Sequence, residues 1–270
     1  MLRDYLLEEN LPHFWCAGCG SGIVLQSLLR NIDKQGWKRE DTVVVTGIGC
    51  WGKADDYIKT NTFHGTHGRA LAFSTGIKLA NPDLHVFTLM GDGDGITIGG
   101  NHLIHAARRN IDLVAIMVNN LNYGMTGGQY SGTTPRDAIT KTSPYGHIET
   151  GFDVCRVVQA AGGSFVARGT VYDVVQLNKL IEQAIAHKGF SFVEVISPCP
   201  THFGRSNHMA AAVEMMRWIK EQTVPLARAA SMSPQELEGK FVTGVFENSQ
   251  REDYSTAYQR VVDRLKGEAG

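Results

Sequence analysis

The chain has 270 residues and 43% hydrophobic content, which is enough to bury one large core. Its 26 Lys and Arg residues balance 27 Asp and Glu residues, and no long basic run could follow a phosphate backbone, which argues against nucleic acid as a partner. The N-terminal residues 1–10 lack the apolar core of a signal peptide, and no apolar run approaches the roughly 18 residues of a membrane span. We therefore expect a cytoplasmic protein with no membrane partner.

From about residue 40 to 197, apolar runs rich in β-branched residues alternate with amphipathic stretches of helical period. This alternation is typical of βα units that wind into a parallel sheet. The predicted strands are Thr42–Thr46, His85–Met90, Leu113–Val118, Ser164–Val166 and Phe192–Ile196. The predicted helices include His67–Ala80, which ends before Pro82, and Asn101–Arg109. We expect an α/β fold with a doubly wound, mostly parallel sheet.

The later part of the chain departs from this alternation. The polar segment 121–146 is too long for an ordinary connection and indicates a functional loop. Beyond residue 200 two further helices are predicted, one from about Ala210 to Glu221. The last has Ser233 as N-cap, Pro234 at the first helical position and Glu236 completing a capping box. The resulting division is an N-terminal segment (1–40), a main domain (41–199) and a C-terminal extension (200–270).

Two short polar motifs stand at the ends of neighbouring predicted strands. Gly91-Asp92-Gly93-Asp94 comes directly after the second strand, and Asn119-Asn120 comes after the third. In an open parallel sheet, ligands bind at the carboxyl edge, where the loops diverge. Carboxylate and amide oxygens suit Mg²⁺, and glycines let backbone N–H groups approach phosphate oxygens.

The two motifs together resemble the thiamine diphosphate motif, in which GDG is followed by a pair of asparagines; here 25 residues separate Gly93 from Asn119. By that resemblance, Asp92 and Asn120 bind Mg²⁺ through their side chains, and Asn122 binds it through its backbone carbonyl. The alternative interpretation is a pair of polar turns that cap the strands.

Four of the five cysteines form a second group. Cys16 and Cys19 make a CxxC pair, Cys50 follows after 30 residues, and Cys199 follows after 148 more. Four thiolates can hold Zn²⁺ or an iron–sulfur cluster, and residue types alone do not choose between them. Because Cys50 follows the first strand, at the edge that holds the proposed Mg²⁺ site, a redox centre beside an organic cofactor is favoured. Cys155 lies in an apolar helical pattern and is assigned to the core.

Six short motifs follow one another between residue 15 and about residue 205. They are WCAGCG at 15–20, GIGC at 47–50, HGTHGR at 64–69, GDGD at 91–94, YGMTGGQ at 123–129 and PCPT at 198–201. This series resembles the β subunit of the 2-oxoacid:ferredoxin oxidoreductases, most closely those that use 2-oxoglutarate. The resemblance implies a thiamine diphosphate-binding fold in the main domain and a [4Fe–4S] cluster. The implied cluster ligands are Cys16, Cys19, Cys50 and Cys199. The implied cofactor contacts are Ile48, Gly49, Cys50, Trp51, His67, Gly93, Asp94, Gly124 and Met125.

The resemblance also implies a reaction, the reversible and coenzyme A-dependent oxidative decarboxylation of a 2-oxoacid, with electrons passing through the cluster to ferredoxin. The favoured substrate is 2-oxoglutarate, converted to succinyl-CoA and CO₂, and pyruvate and branched-chain 2-oxoacids are alternatives. His67 would act beside the diphosphate, and Lys53 or Arg136 would bind a substrate carboxylate. Trp51 stands where the family usually has a small residue, which would reshape the pocket.

Activation of the cofactor requires a glutamate from a second domain of the same architecture, and the sequence contains one such domain. An α subunit is therefore expected to supply it, in an αβ or (αβ)₂ assembly. Other classes remain open: a non-redox thiamine diphosphate decarboxylase, which has no need of four cysteines, and a zinc-stabilised binding protein. A nucleotide hydrolase is disfavoured because Ala54 stands where a phosphate-binding loop needs a hydroxyl after Lys53.

Overall fold

The computed structural model describes residues 2–268, and an eight-stranded sheet runs through its centre. The strands are β1 (Thr42–Thr46), β2 (Asn61–His64), β3 (His85–Gly91), β4 (Leu113–Asn119), β5 (Phe165–Thr170), β6 (Phe190–Ile196), β7 (Thr223–Pro225) and β8 (Phe241–Asn248). Their spatial order is β2-β1-β3-β4-β6-β5-β8-β7. The first six strands pair in parallel, and β8 pairs antiparallel with β5. Parallel neighbours require crossover connections, which the helices provide.

Helices cover both faces of this sheet. They are α1 (Ser21–Gln35), α2 (Ala70–Ala80), α3 (Gly100–Arg109), α4 (Val154–Ala160), α5 (Val174–Ala186), α6 (Ala212–Gln222), α7 (Leu226–Ala229), α8 (Pro234–Leu237) and α9 (Tyr254–Glu268). Helices α1 and α5 pack on one face, and α2, α3 and α4 pack on the other, so each face has its own apolar core. Strands β1, β4 and β6 are buried along their whole length, as expected for parallel strands covered on two sides. The predicted doubly wound α/β fold is confirmed.

All five predicted strands are present, and differences lie at their ends. The strand predicted at Ser164–Val166 is β5, which begins one residue later than predicted and continues to Thr170. The helix predicted from His67 begins at Ala70, because Gly68 has a φ of +72°, which belongs to the left-handed region and interrupts a right-handed helix. Within residues 2–268 no helix combines the length and the apolar content needed to cross a bilayer.

The C-terminal extension differs most from its prediction. The helix capped by Ser233 has its capping box but is only four residues long, Pro234–Leu237. Strand β8, which the sequence did not predict, then joins the main sheet beside β5. Its positions are mostly half-buried, so its sequence lacks a clear alternation of apolar and polar residues. The extension thus shares its sheet with the main domain.

A buried arginine ties this part of the sheet together. The Nε of Arg168, on β5, donates to Glu194 Oε2 on β6 at 2.6 Å. Its Nη2 donates to Asp153 Oδ1 at 2.6 Å, and its Nη1 donates to the Val242 carbonyl on β8 at 3.1 Å. Both Arg168 and Glu194 are almost fully buried. One guanidinium therefore links three adjacent strands.

Replacing Arg168 with methionine should leave the Glu194 carboxylate buried without its cation. Loss of one partner of a buried pair costs about 3–5 kcal/mol, and we expect that decrease in the free energy of unfolding, measured by urea denaturation. The double variant Arg168→Met/Glu194→Gln should recover most of it.

Arg156→Ala is the matched control, because Arg156 also pairs with Asp153, at 3.2 Å, but its side chain is 71% exposed. An exposed pair contributes up to about 1 kcal/mol. If Arg168→Met lowered the free energy of unfolding by no more than Arg156→Ala does, the buried pair would not stabilise the fold as expected.

Candidate active site

The loops that follow β1, β3 and β4 meet at the carboxyl edge of the sheet and enclose a cavity. Every residue predicted to contact the cofactor lines it, namely Ile48, Gly49, Cys50, Trp51, His67, Gly93, Asp94, Gly124 and Met125. The three predicted magnesium ligands Asp92, Asn120 and Asn122 line it too, together with Ser21, Tyr123 and Thr126. We call this space the cofactor cavity.

Asp92 is a buried carboxylate whose two oxygens have different surroundings. Its Oδ2 accepts hydrogen bonds from Ser131 Oγ at 2.5 Å and from Thr133 Oγ1 at 2.9 Å. Its Oδ1 accepts a long bond, 3.4 Å, from the backbone N–H of Asn120. Burial raises the pKa of Asp92 to about 6, although the hydroxyl hydrogen bonds act in the opposite direction. A cation at Oδ1 would offset this cost of burial.

Three oxygens converge at this point. The side-chain oxygen of Asn120 lies 2.7 Å from the Asn122 carbonyl oxygen and 3.3 Å from Asp92 Oδ1. An octahedral Mg²⁺ with bonds of 2.0–2.1 Å requires neighbouring ligand oxygens about 2.9 Å apart. Both distances are therefore close to the spacing of neighbouring oxygens around one magnesium ion. Without a cation, a 180° rotation of the Asn120 amide would let its N–H groups donate to the other two oxygens.

A second carboxylate, Asp94, holds His67. Asp94 Oδ1 lies 2.6 Å from His67 Nδ1 and accepts backbone N–H bonds from Gly68 at 2.6 Å and Ile48 at 3.3 Å. A hydrogen bond to an almost fully buried carboxylate favours the tautomer of His67 with its proton on Nδ1. In that tautomer Nε2 carries no proton. Gly47 allows this packing, since a Cβ there would lie 1.9 Å from Asp94 Oδ2.

The structure does not bring Lys53 to the cofactor cavity. Lys53 lies in a 3₁₀ helix, Trp51–Tyr57, and its ammonium pairs with Asp56 Oδ2 at 2.7 Å. Arg136, the other cation considered for a substrate carboxylate, lines a different cavity together with Arg168. Neither side chain is among those that line the cofactor cavity.

The four predicted cluster cysteines line one further cavity of about 210 Å³. This cysteine cavity shares Cys50, Asn120, Gly124 and Met125 with the cofactor cavity. Gly124 stands at the boundary, because a Cβ there would lie 3.5 Å from Cys50 Sγ and 3.6 Å from Cys199 Sγ. The two cavities therefore have a common wall.

Two of the thiols in this cavity are costly to ionise, because burial raises the pKa of Cys19 and of Cys50. Burial, together with the smaller effect of the neighbouring thiols of Cys19, Cys199 and Cys16, raises the pKa of Cys50 to about 12. Four thiolates would thus need a strongly cationic centre among them. Zn²⁺ and a [4Fe–4S] cluster both accept four thiolates, so the four cysteines fit either centre.

Two tryptophans support the loop that carries Cys50. Trp15 Nε1 donates to the Cys50 carbonyl at 2.6 Å, and Trp51 Nε1 donates to the Ile116 carbonyl in β4 at 3.3 Å. Trp51 is only 1% exposed, so its indole packs into the core while the residue forms part of the wall of the cofactor cavity. Cys155 lies apart from these thiols, fully buried, and its Sγ donates to Glu194 Oε2 at 3.4 Å.

The sequence did not predict a role in the site for Ser21, Ser131 or Thr133. Ser131 and Thr133 belong to the long polar segment 121–146, whose length was their only signal. Nothing in the spacing of its many hydroxyls indicates which ones turn inward to Asp92.

Comparisons with known proteins agree on one family. Residues 47–195 match the family described as thiamine pyrophosphate enzyme, C-terminal TPP binding domain; thiamine pyrophosphate is another name for thiamine diphosphate. The 2-oxoglutarate synthase subunit KorB of Archaeoglobus fulgidus is 48% identical over 258 residues, which cover 96% of this chain and 93% of that protein. KorB of Methanocaldococcus jannaschii is 45% identical over 98% of both chains. The chain belongs to the KorB family of 2-oxoglutarate synthase subunits.

A solved structure of similar fold carries a related name. It is the 2-oxoglutarate:ferredoxin oxidoreductase from Magnetococcus marinus, with 2-oxoglutarate, coenzyme A and succinyl-CoA bound. The match has a TM-score of 0.87 and 29% identity and covers 98% of this chain and 90% of that one. The family predicted from the six motifs is confirmed, and with it the class of oxidoreductase.

Proposed function

We propose that this KorB chain is the β subunit of a 2-oxoglutarate:ferredoxin oxidoreductase and binds thiamine diphosphate, Mg²⁺ and a [4Fe–4S] cluster. One observation carries this proposal: the cavity with three converging oxygen ligands shares a wall with the cavity of four cysteines. Oxidative decarboxylation with one-electron acceptors needs an organic cofactor beside a redox centre. A non-redox decarboxylase would have no use for the second cavity.

Within this proposal the residues have distinct tasks. Thiamine diphosphate would supply the electron sink for loss of CO₂. Asp92, Asn120 and the Asn122 carbonyl would hold Mg²⁺ for its diphosphate. His67, oriented by Asp94, would present Nε2 to the bound cofactor. The cysteines Cys16, Cys19, Cys50 and Cys199 would hold the cluster, and the glycine at position 124 would keep the space between cluster and cofactor free of side chain.

The composition of the cofactor cavity supports a site divided between subunits. The side chains that line it in the described chain include no glutamate, lysine or arginine. Activation of thiamine diphosphate needs a glutamate, and a dicarboxylate needs a further cation. We propose that an α subunit supplies both, in an αβ or (αβ)₂ complex. Coenzyme A and ferredoxin would bind to that complex, and a cytoplasmic location remains a prediction.

The preference for 2-oxoglutarate rests on the names of the relatives and on the substrate bound in the Magnetococcus marinus enzyme. Trp51 was the residue expected to reshape the substrate pocket. Because its indole packs in the core, it is a weaker argument against 2-oxoglutarate as the substrate. Pyruvate and branched-chain 2-oxoacids remain the alternatives.

Replacing any one of Cys16, Cys19, Cys50 and Cys199 with alanine should remove iron and sulfide from the anaerobically purified chain, because each would contribute one of four cluster ligands. Iron and sulfide analysis with visible absorption is the measurement. Cys155→Ala is the matched control: its thiol is fully buried outside the cysteine cavity, so metal content should stay at the wild-type value. Zinc in place of iron would refute the redox assignment.

The lone β chain, supplied with thiamine diphosphate and Mg²⁺, should oxidise no 2-oxoacid, and addition of the α subunit should restore activity. In that complex, kcat/KM for 2-oxoglutarate should exceed the values for pyruvate and branched-chain 2-oxoacids. Turnover by the lone chain would contradict the divided site, and a higher kcat/KM for pyruvate would contradict only the substrate preference.

A further inference from the structure

Two buried hydroxyls close one side of the Asp92 carboxylate. Ser131 is 1% exposed and Thr133 is 6% exposed, and both belong to the loop between β4 and α4. Both contact the same oxygen, Oδ2, at 2.5 and 2.9 Å respectively. The other oxygen, Oδ1, faces the Asn120 amide, where the magnesium ligands converge.

Counting hydrogens shows that both hydroxyls can donate to Asp92. Thr133 Oγ1 lies 2.9 Å from Asp92 Oδ2 and 2.9 Å from Asn119 Oδ1, and it has one hydrogen for the two acceptors. The Asn119 oxygen already accepts the Leu121 N–H at 3.0 Å. An ionised carboxylate is the stronger acceptor, so an ionised Asp92 takes this hydrogen. Ser131 and Thr133 then saturate Oδ2.

The orientation of Asn119 is fixed from its far side. Its Nδ2 donates to Glu194 Oε1 at 2.8 Å, and Glu194 is held in turn by Arg168. The Asn119 oxygen therefore points toward Thr133 and keeps the hydroxyl between two acceptors. The buried ion pair of the sheet thus supports the geometry around Asp92.

We propose that Ser131 and Thr133 are positioning residues that restrict Asp92 to one metal-binding oxygen and so select Mg²⁺ over Ca²⁺. This inference rests on the proposed function, because it concerns the metal that would hold the diphosphate. Mg²⁺ is small and needs near-octahedral single-oxygen ligands, whereas Ca²⁺ accepts both oxygens of one carboxylate at 2.3–2.6 Å. A carboxylate whose Oδ2 is saturated cannot offer both oxygens.

Removing either hydroxyl frees a lone pair on Oδ2 and lets the carboxylate turn. The site should then lose the ideal geometry that Mg²⁺ demands and gain a second oxygen for Ca²⁺. Loss of a group that orients a metal ligand lowers metal affinity about 10–100-fold. A merely structural role for the hydroxyls would weaken both ions alike.

The test measures thiamine diphosphate binding to the full chain in complex with its α subunit, by calorimetry, with Mg²⁺ or Ca²⁺ as the metal. We expect Ser131→Ala and Thr133→Val each to lower the Mg²⁺-supported affinity about tenfold while the Ca²⁺-supported affinity stays equal or rises. Thr133→Ser, which keeps the hydroxyl, should retain the wild-type ratio of the two affinities.

Thr140→Val is the matched control. Thr140 is buried in the same loop, but its hydroxyl pairs with Ser143 Oγ at 2.6 Å and not with Asp92. This variant should lower the melting temperature without changing the ratio.

If Ser131→Ala and Thr133→Val both left the ratio of the Mg²⁺-supported to the Ca²⁺-supported affinity unchanged, the inference about metal selection would be wrong. The proposed function would not be affected by that result. If the wild-type complex bound thiamine diphosphate with neither metal, the proposed function itself would fail.

Discussion

The parallel pairing of β1, β3 and β4 is the constraint on which the site depends. Gly91 pairs with Val118 in neighbouring strands, so the residues that follow them leave the sheet side by side. This register brings Asp92 next to the asparagine pair, and β1 delivers the Cys50 loop to the same edge. Because side chains alternate between the faces of a strand, a slip of one residue would exchange the side chains that face the two helical layers and separate these groups.

The fold assembles groups that are costly to bury without their ligands. Burial raises the pKa of Asp92 to about 6 and that of Cys50 to about 12, which disfavours the charged forms that bind metals. Cations in the two cavities would stabilise those charged forms. Binding of the proposed metals would therefore be coupled to folding of the carboxyl-edge loops.

Hydrogen bonding connects the sheet to the site over several side chains. The Arg168–Glu194 pair lies in the sheet core, Glu194 holds Asn119, and Asn119 contacts the Thr133 hydroxyl beside Asp92. Each member is buried, so each needs its partner to avoid an unsatisfied polar group. The same residues thereby stabilise the fold and orient the proposed metal ligand.

Much of this could be predicted from the sequence because the relevant signals are local. Strand β1 has its predicted bounds, since TVVVT is a continuous β-branched run, and the GDG and NN motifs follow strands directly. Strand β8 was missed because its half-buried positions lack periodicity. Ser131 and Thr133 were missed because their role depends on how a long loop folds back onto Asp92. Contacts that form when a long loop folds back on the chain leave no regular spacing of residues in the sequence.

The proposed magnesium site and the four-cysteine site lie against one another, with Gly124 and Cys50 in their shared wall. Substituting paramagnetic Mn²⁺ for Mg²⁺ in the anaerobic, reduced complex tests this proximity by electron paramagnetic resonance. We expect bound Mn²⁺ to broaden the cluster signal and to accelerate its relaxation. A cluster signal identical with Mg²⁺ and with Mn²⁺ bound would contradict this expectation.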